Sequence, residues 1–257
     1  MCLLVLAVNA HPDYKLIVAG NRDEYYDRPA ARAAFWEEAP HLLAGKDLRH
    51  NGTWFGVTRQ GRIGAVTSYR DPASFRAQAP TRGELITKFL LGRQDPLDYL
   101  NELAPAAEKY NGFNLIAGVK DRLYWYSNSG GQIRLLEPGI HGLSNKLLDT
   151  PWPKTVRARV ALGRLISKEK YPSPGKLFQI LQDRTPVDDR QLPHTGVPLE
   201  WERLLSSIFI ESPTYGTRSS TLLYLGQDDR ISFHENTFDK KPNPVSSVKF
   251  DFQITHT

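Results

Sequence analysis

Short apolar runs, each closed by turn residues and recurring in pairs at both ends of the chain, constrain this sequence more than any other feature. Residues 3–8 and 16–20 flank His11-Pro12-Asp13, which predicts a hairpin. Residues 53–58 and 62–67 repeat the pattern around Arg59-Gln60-Gly61. Residues 113–119, 123–127 and 133–136 do so again, with turns at Lys120-Asp121-Arg122 and at 128–131. Towards the C-terminus, 219–225, 231–234 and 248–254 are further strands, the first two joined by Gln227-Asp228-Asp229. Between these groups the spacing turns helical. Thr81-Arg82-Gly83-Glu84 has capping-box spacing ahead of Leu85, Ile86, Phe89 and Leu90. Residues 97–110 predict a second helix, with Pro96 at its start. Residues 152–167 predict a third, with Val156, Val160, Leu162 and Ile166 on one stripe, and 176–182 and 199–207 predict shorter ones. Residues 171–198, rich in proline and carrying Asp183, Asp188 and Asp189, read as a surface excursion, because strands resume after them. The expectation is one α+β domain over residues 1–257, built of two antiparallel sheets covered by helices.

Composition removes several classes. At 257 residues, 40% hydrophobic and 24% charged, the chain can bury a sizeable core and is neither collagen-like, disordered nor coiled-coil. Its 33 basic and 28 acidic residues leave +5, a weak preference for anionic ligands. A single cysteine excludes an internal disulfide and a Cys-rich zinc or iron–sulfur site. The histidines are scattered, with no i,i+4 pair, so no metal site is expected. There is no P-loop, no Gly-x-Gly-x-x-Gly after a strand and no Gly-x-Ser-x-Gly, and the basic residues are dispersed, which speaks against a nucleic-acid partner. No run reaches the roughly 18 apolar residues of a membrane span. The apolar start has no basic flank and no cleavage site, so stable membrane insertion is not expected and a cytoplasmic location is.

Four segments carry side chains suited to chemistry. If Met1 is removed, Cys2 combines a thiol with an α-amine whose pKa of about 7.7–8.0 lets it take the thiol proton, so nucleophile and base share one residue. The other reading of Cys2 is a small hydrophobe opening the first strand. Asn21-Arg22-Asp23-Glu24 follows the second strand, whose antiparallel return brings it beside Cys2. There Asp23 can hold an N-terminal ammonium and Arg22 can neutralise an anionic substrate group, or the loop is simply solvated. Asn145, in Leu143-Ser144-Asn145-Lys146, is suited to donate to an oxyanion or to cap the helix that follows. Arg218 stands among hydroxyls in Tyr215-Gly216-Thr217-Arg218-Ser219-Ser220-Thr221, where it can fork onto a carboxylate. Trp54 and the other tryptophans read as core or pocket wall.

An initial Met-Cys, then Asn21-Arg22-Asp23-Glu24 with Arg28-Pro29, resembles the NRDE family, also called the transport and Golgi organisation 2 family. Gly52-Thr53-Trp54-Phe55-Gly56, Gly142-Leu143-Ser144-Asn145 with Thr150-Pro151-Trp152, and Tyr215-Gly216-Thr217-Arg218 agree, and the match runs from Met1 to about Phe238. This family is similar to the N-terminal nucleophile (Ntn) hydrolases of the choloylglycine hydrolase and penicillin acylase type. The resemblance implies a four-layer αββα sandwich with a catalytic set of Cys2, Asp23, Asn145 and Arg218. It also implies substrate contacts from Asn21, Arg22, Ser68 and Trp54. Gly20 stands where that branch usually has an arginine, and Ser68 marks a part of the oxyanion hole where these groups often carry asparagine. Two functions follow as expectations. One is a Cys-nucleophile amidohydrolase acting on a linear non-peptide amide. The alternative is a protein that handles haem or an acyl lipid without turnover. Neither requires a cofactor, and haem enters only as a candidate ligand.

Overall fold

The structure, a computed structural model, describes residues 3–255. Its first half runs β1 (Leu3–His11), β2 (Tyr14–Tyr25), β3 (Ala30–Trp36), β4 (Ala39–Asp47), β5 (Phe55–Thr58), β6 (Arg62–Ser68), α1 (Gly83–Leu91) and α2 (Pro96–Leu103). It continues with β7 (Phe113–Val119), β8 (Arg122–Ser127), β9 (Ile133–Leu135), β10 (Gly139–Leu143), α3 (Pro153–Lys168), α4 (Pro174–Leu181) and α5 (Leu199–Leu204). The last strands are β11 (Tyr215–Gly226), β12 (Arg230–Thr237) and β13 (Ser246–Gln253). The strands form two antiparallel sheets, one of six in the order β10-β1-β2-β11-β12-β13 and one of seven in the order β3 to β9.

The apolar run at the N-terminus is continuous rather than alternating because β1 is covered on both faces. Leu4, Leu6 and Val8 enter the core between the sheets with Leu43, Phe55, Val57 and Ile116. Leu3, Val5 and Ala7 point the other way, under Ala158 and Leu162 of α3 and Leu177 and Leu181 of α4. The seven-stranded sheet is covered likewise: Leu42, Ala44, Leu115 and Ala117 pack against Ile86, Phe89 and Leu100 of α1 and α2. The stack is therefore helix, sheet, sheet, helix, a four-layer αββα sandwich. α4 falls inside the proline-rich stretch 171–198, and its Leu177 and Leu181 belong to this outer core.

Local expectations were corrected at several points. β3, β4 and β10 have no uniform apolar run: β3 reads Ala-Ala-Arg-Ala-Ala-Phe-Trp, and β10 carries two glycines and a histidine. The helix expected over 97–110 stops at Leu103 and tightens to a 3-10 turn over Ala104–Lys109, because Pro105 has no N–H for the α ladder. No capping box forms at α1. Thr81 Oγ1 accepts only a long bond from the Gly83 N–H, at 3.4 Å, while Glu84 turns to the Tyr110 hydroxyl and Lys88. In α3 the buried stripe is Thr155, Ala158, Leu162 and Ile166, whereas Val156 and Val160 are 40% and 45% exposed. A β-branched Thr155, set against Gly142 of β10, replaces the valines inside.

Candidate functional site

β2 lies between β1 and β11, and its last residues are Asn21, Arg22, Asp23, Glu24 and Tyr25. Leu3, the first described residue, sits opposite Asn21, and Thr217 of β11 sits opposite Asp23. Cys2 lies outside the described residues. Strand alternation sends Asn21 and Asp23 to one face of the sheet and Arg22 to the other.

Asn21 is buried and engaged by the protein itself. Its amide donates to the carbonyls of Leu181 and Ile208, each at 2.8 Å, and its oxygen accepts from Ser220 Oγ at 2.6 Å. It ties the end of α4 to the sheet. Asp23, also buried, accepts from Thr217 Oγ1 at 2.7 Å, and the same hydroxyl oxygen accepts from the Ile210 N–H at 2.9 Å. Thr217 is thus held at both its hydrogen and its oxygen, which fixes one oxygen of the Asp23 carboxylate. Arg22 is buried with its guanidinium 4.3 Å from the centroid of the Trp54 ring, in cation–π contact, and 3.5 Å from Asp47. Burial pulls the Arg22 pKa down, against the opposing charges of Glu24 and Asp47. Burial also pushes the Asp47 carboxyl up, but the Arg28 bond at 2.6 Å and the His50 and Arg49 N–H groups outweigh it, so the net shift is downward.

The pairing of β11 with β2 slips between Thr217 and Ser219, a bulge that makes Arg218 the extra residue. Its side chain is re-aimed to the loop after β2, where Nη1 donates to the carbonyls of Tyr25, Tyr26 and Arg28 at 2.9, 3.2 and 3.1 Å. Asn145 does not cap α3, whose first turn begins at Trp152 with no side-chain cap. Instead Asn145 Nδ2 donates to the Ser68 carbonyl at 3.0 Å, and its oxygen faces Ser144 Oγ and Arg70 Nη2 at 3.4 and 3.5 Å.

Three adjoining cavities share these side chains. A small one of about 100 Å³ takes Arg22, Trp54 and Ser68. One of about 410 Å³ takes Ser68, Asn145 and Arg70. A third, of about 440 Å³, takes Arg22, Trp54 and Arg218. Arg22, Trp54, Ser68, Asn145 and Arg218 are thus divided among cavities joined at Arg22 and Trp54 on one side and at Ser68 on the other, and Asn21 and Asp23 line none of the three. A larger cavity of about 780 Å³ opens by Tyr14 at the other end of β2 and holds none of them.

Sequence reasoning missed Glu235. It is buried between the sheets, accepting from the Ala33 N–H at 2.6 Å and Thr221 Oγ1 at 3.2 Å. Burial pushes its carboxyl up to about 7, against those bonds and the Arg22 charge. The available signal was period two: Ile231, Phe233 and Glu235 all point inward. Among the described residues no three His, Cys, Asp or Glu side chains group as metal ligands, and no helix is long and apolar enough to cross a membrane.

The profile of a family described as Transport and Golgi organisation 2 matches residues 1–240. The Transport and Golgi organization protein 2 homolog of Bos taurus is 33% identical over 99% of both chains, and that of Homo sapiens is also 33% identical over 99% of both. Among solved structures, a Caenorhabditis elegans N-acylethanolamine-hydrolyzing acid amidase ortholog aligns with 86% of this chain and 92% of its own, at 10% identity and a TM-score of 0.48.

Proposed function

From the premise that the chain belongs to the Transport and Golgi organisation 2 family, we propose that it is an Ntn-type amidohydrolase with Cys2 as nucleophile, acting on a linear non-peptide amide. One observation carries this reading: β2 returns a buried Asp23, fixed by Thr217, to the strand end where β1 starts at Leu3. In the proposed reaction Met1 is first removed. The Cys2 thiolate then attacks the amide carbon while its own α-amine holds the thiol proton. A C–S bond forms, the C–N bond breaks, and the leaving amine takes that proton. Water then hydrolyses the thioester and releases the acid. Asp23 positions the ammonium. Asn145, one of whose amide hydrogens is bonded to Ser68, offers the other to the oxyanion. Arg218 acts by shaping the loop after β2 rather than by touching the reacting atoms.

Carriage of haem or an acyl lipid without turnover is favoured by a different observation, the roughly 780 Å³ cavity walled by Tyr14, Tyr171 and Tyr224. The two separate in one experiment. Cys2→Ala removes a single sulfur, so on the hydrolase reading it abolishes labelling by a cysteine-directed acyl probe while thermal unfolding stays as in wild type. Labelling that survives in Cys2→Ala, or a Soret shift on haem titration of a protein that the probe never labels, moves the assignment to carriage.

A further inference from the structure

The roughly 440 Å³ cavity beyond the Arg22–Trp54 stack has an unusual wall. Four of its side chains each keep one polar atom out of solvent contact and without a hydrogen-bond partner among the described residues: Arg22 Nη1, Trp54 Nε1, Arg218 Nε and Ser219 Oγ. Three of these are obligate donors, and the fourth is a hydroxyl free to donate. Leaving such groups unmatched in a protein interior is costly, and their gathering on one cavity is an observation in its own right. Neighbouring interactions do not explain it. The Arg218 bonds go to backbone carbonyls, and Asp47, the ion-pair partner of Arg22, is held more closely by Arg28. Charge points the same way, since Arg22, Arg32 and Arg218 line the cavity against one carboxylate, Asp239. Phe238 and Val245 supply an apolar wall beside the donors.

Donors without acceptors, an excess of guanidinium and an adjoining apolar wall are the complement of one ligand chemistry. We propose that this cavity binds a small organic oxyanion, its carboxylate or phosphate head taken by Arg22, Trp54, Arg218 and Ser219 and its apolar body by Phe238 and Val245. The volume falls in the ordinary range for small-molecule sites, about 300–1,000 Å³. The four polar atoms lie in side chains that line the cavity but are themselves out of solvent contact, so binding requires these side chains to rearrange towards the head. The site shares Arg22, Trp54 and Arg218 with the residues the family resemblance singles out, but it uses neither Cys2, Asp23 nor Asn145.

Calorimetric titration at constant ionic strength tests it, with octanoate and octyl phosphate as ligands and octanol and octylammonium as controls of matched chain length. Wild-type protein is expected to bind at least one of the two anions 10-fold or more tightly than octanol, as charge-assisted hydrogen bonds to the head require. Which anion binds identifies the head as carboxylate or phosphate. Ser219→Ala removes one hydroxyl, and Trp54→Phe keeps a ring beneath Arg22 while removing the N–H. Each folded variant is expected to lose affinity for the anion by about 10-fold and none for octanol. Octanol or octylammonium binding as well as both anions overturns the proposal. So does a folded variant that holds the anion as wild type does.

Discussion

Replacing Asp23 with asparagine lowers the rate at which Cys2 reacts with an acyl electrophile by on the order of 10²-fold or more, the scale of a positioned acid–base contribution. Asparagine keeps the size of the side chain, and its oxygen still accepts from Thr217 Oγ1, which lies 2.7 Å from the native carboxylate. Only the charge is lost. The substitution therefore separates an electrostatic role toward an N-terminal ammonium from a packing role. Pseudo-first-order labelling rates across pH 6 to 9 measure it, with the profile shifting because an amine without a facing carboxylate loses its proton more readily. An unchanged rate and profile in a folded Asp23→Asn protein excludes the carboxylate from the chemistry.

Glu235→Gln makes the stability of the fold less dependent on pH between about 4.5 and 8. The Glu235 carboxyl ionises at about 7 in the fold against an ordinary value of 4.5, so the native state favours its protonated form. Its stabilising contribution is then full below about 4.5 and is lost as pH rises through about 7. The gap between the two values corresponds to roughly 3 kcal/mol. Glutamine stays neutral throughout. Its oxygen accepts from the Ala33 N–H, and its amide donates to Thr221, whose hydroxyl can turn to accept. Denaturant unfolding of both proteins at pH 8 and at pH 4.5 is expected to show the variant gaining on wild type by about 3 kcal/mol at the higher pH. The downward shift of Asp47 is common to both proteins and cancels in the difference. A difference independent of pH contradicts the burial argument.

Much of the sandwich was legible because its central strands are covered on both faces and so read as unbroken apolar runs. β1 and β11 show this, with Leu222, Leu223, Tyr224 and Leu225 buried in succession. β3 and β10 were not legible. Each lies at one edge of its sheet, hydrogen-bonded to a single neighbour, and its short mixed sequence is decided by pairing rather than by apolar content. α3 was found but turned, because hydropathy ranks valine above threonine while the close approach to Gly142 favours Thr155 inside. The site divides similarly. Asn21, Arg22 and Asp23 stood out as polar residues ending an apolar strand. That Asn21 braces α4 while Arg22 stacks on Trp54 depends on which face each one takes. The turn of Arg218 to the loop after β2 depends on a bulge, a slip in register that no composition reveals. Glu235 was hidden because its partners, the Ala33 N–H and the Thr221 hydroxyl, are distant in sequence or belong to backbone.

The central claim is that Cys2 is an N-terminal nucleophile, and intact mass of the native protein before and after treatment with an acyl electrophile tests it most directly. The account predicts a chain that lacks Met1 and gains a single acyl group, which fragmentation places on the new N-terminal residue. A chain that retains Met1 ahead of an acylated or unreactive Cys2, or an adduct on any other residue, contradicts it.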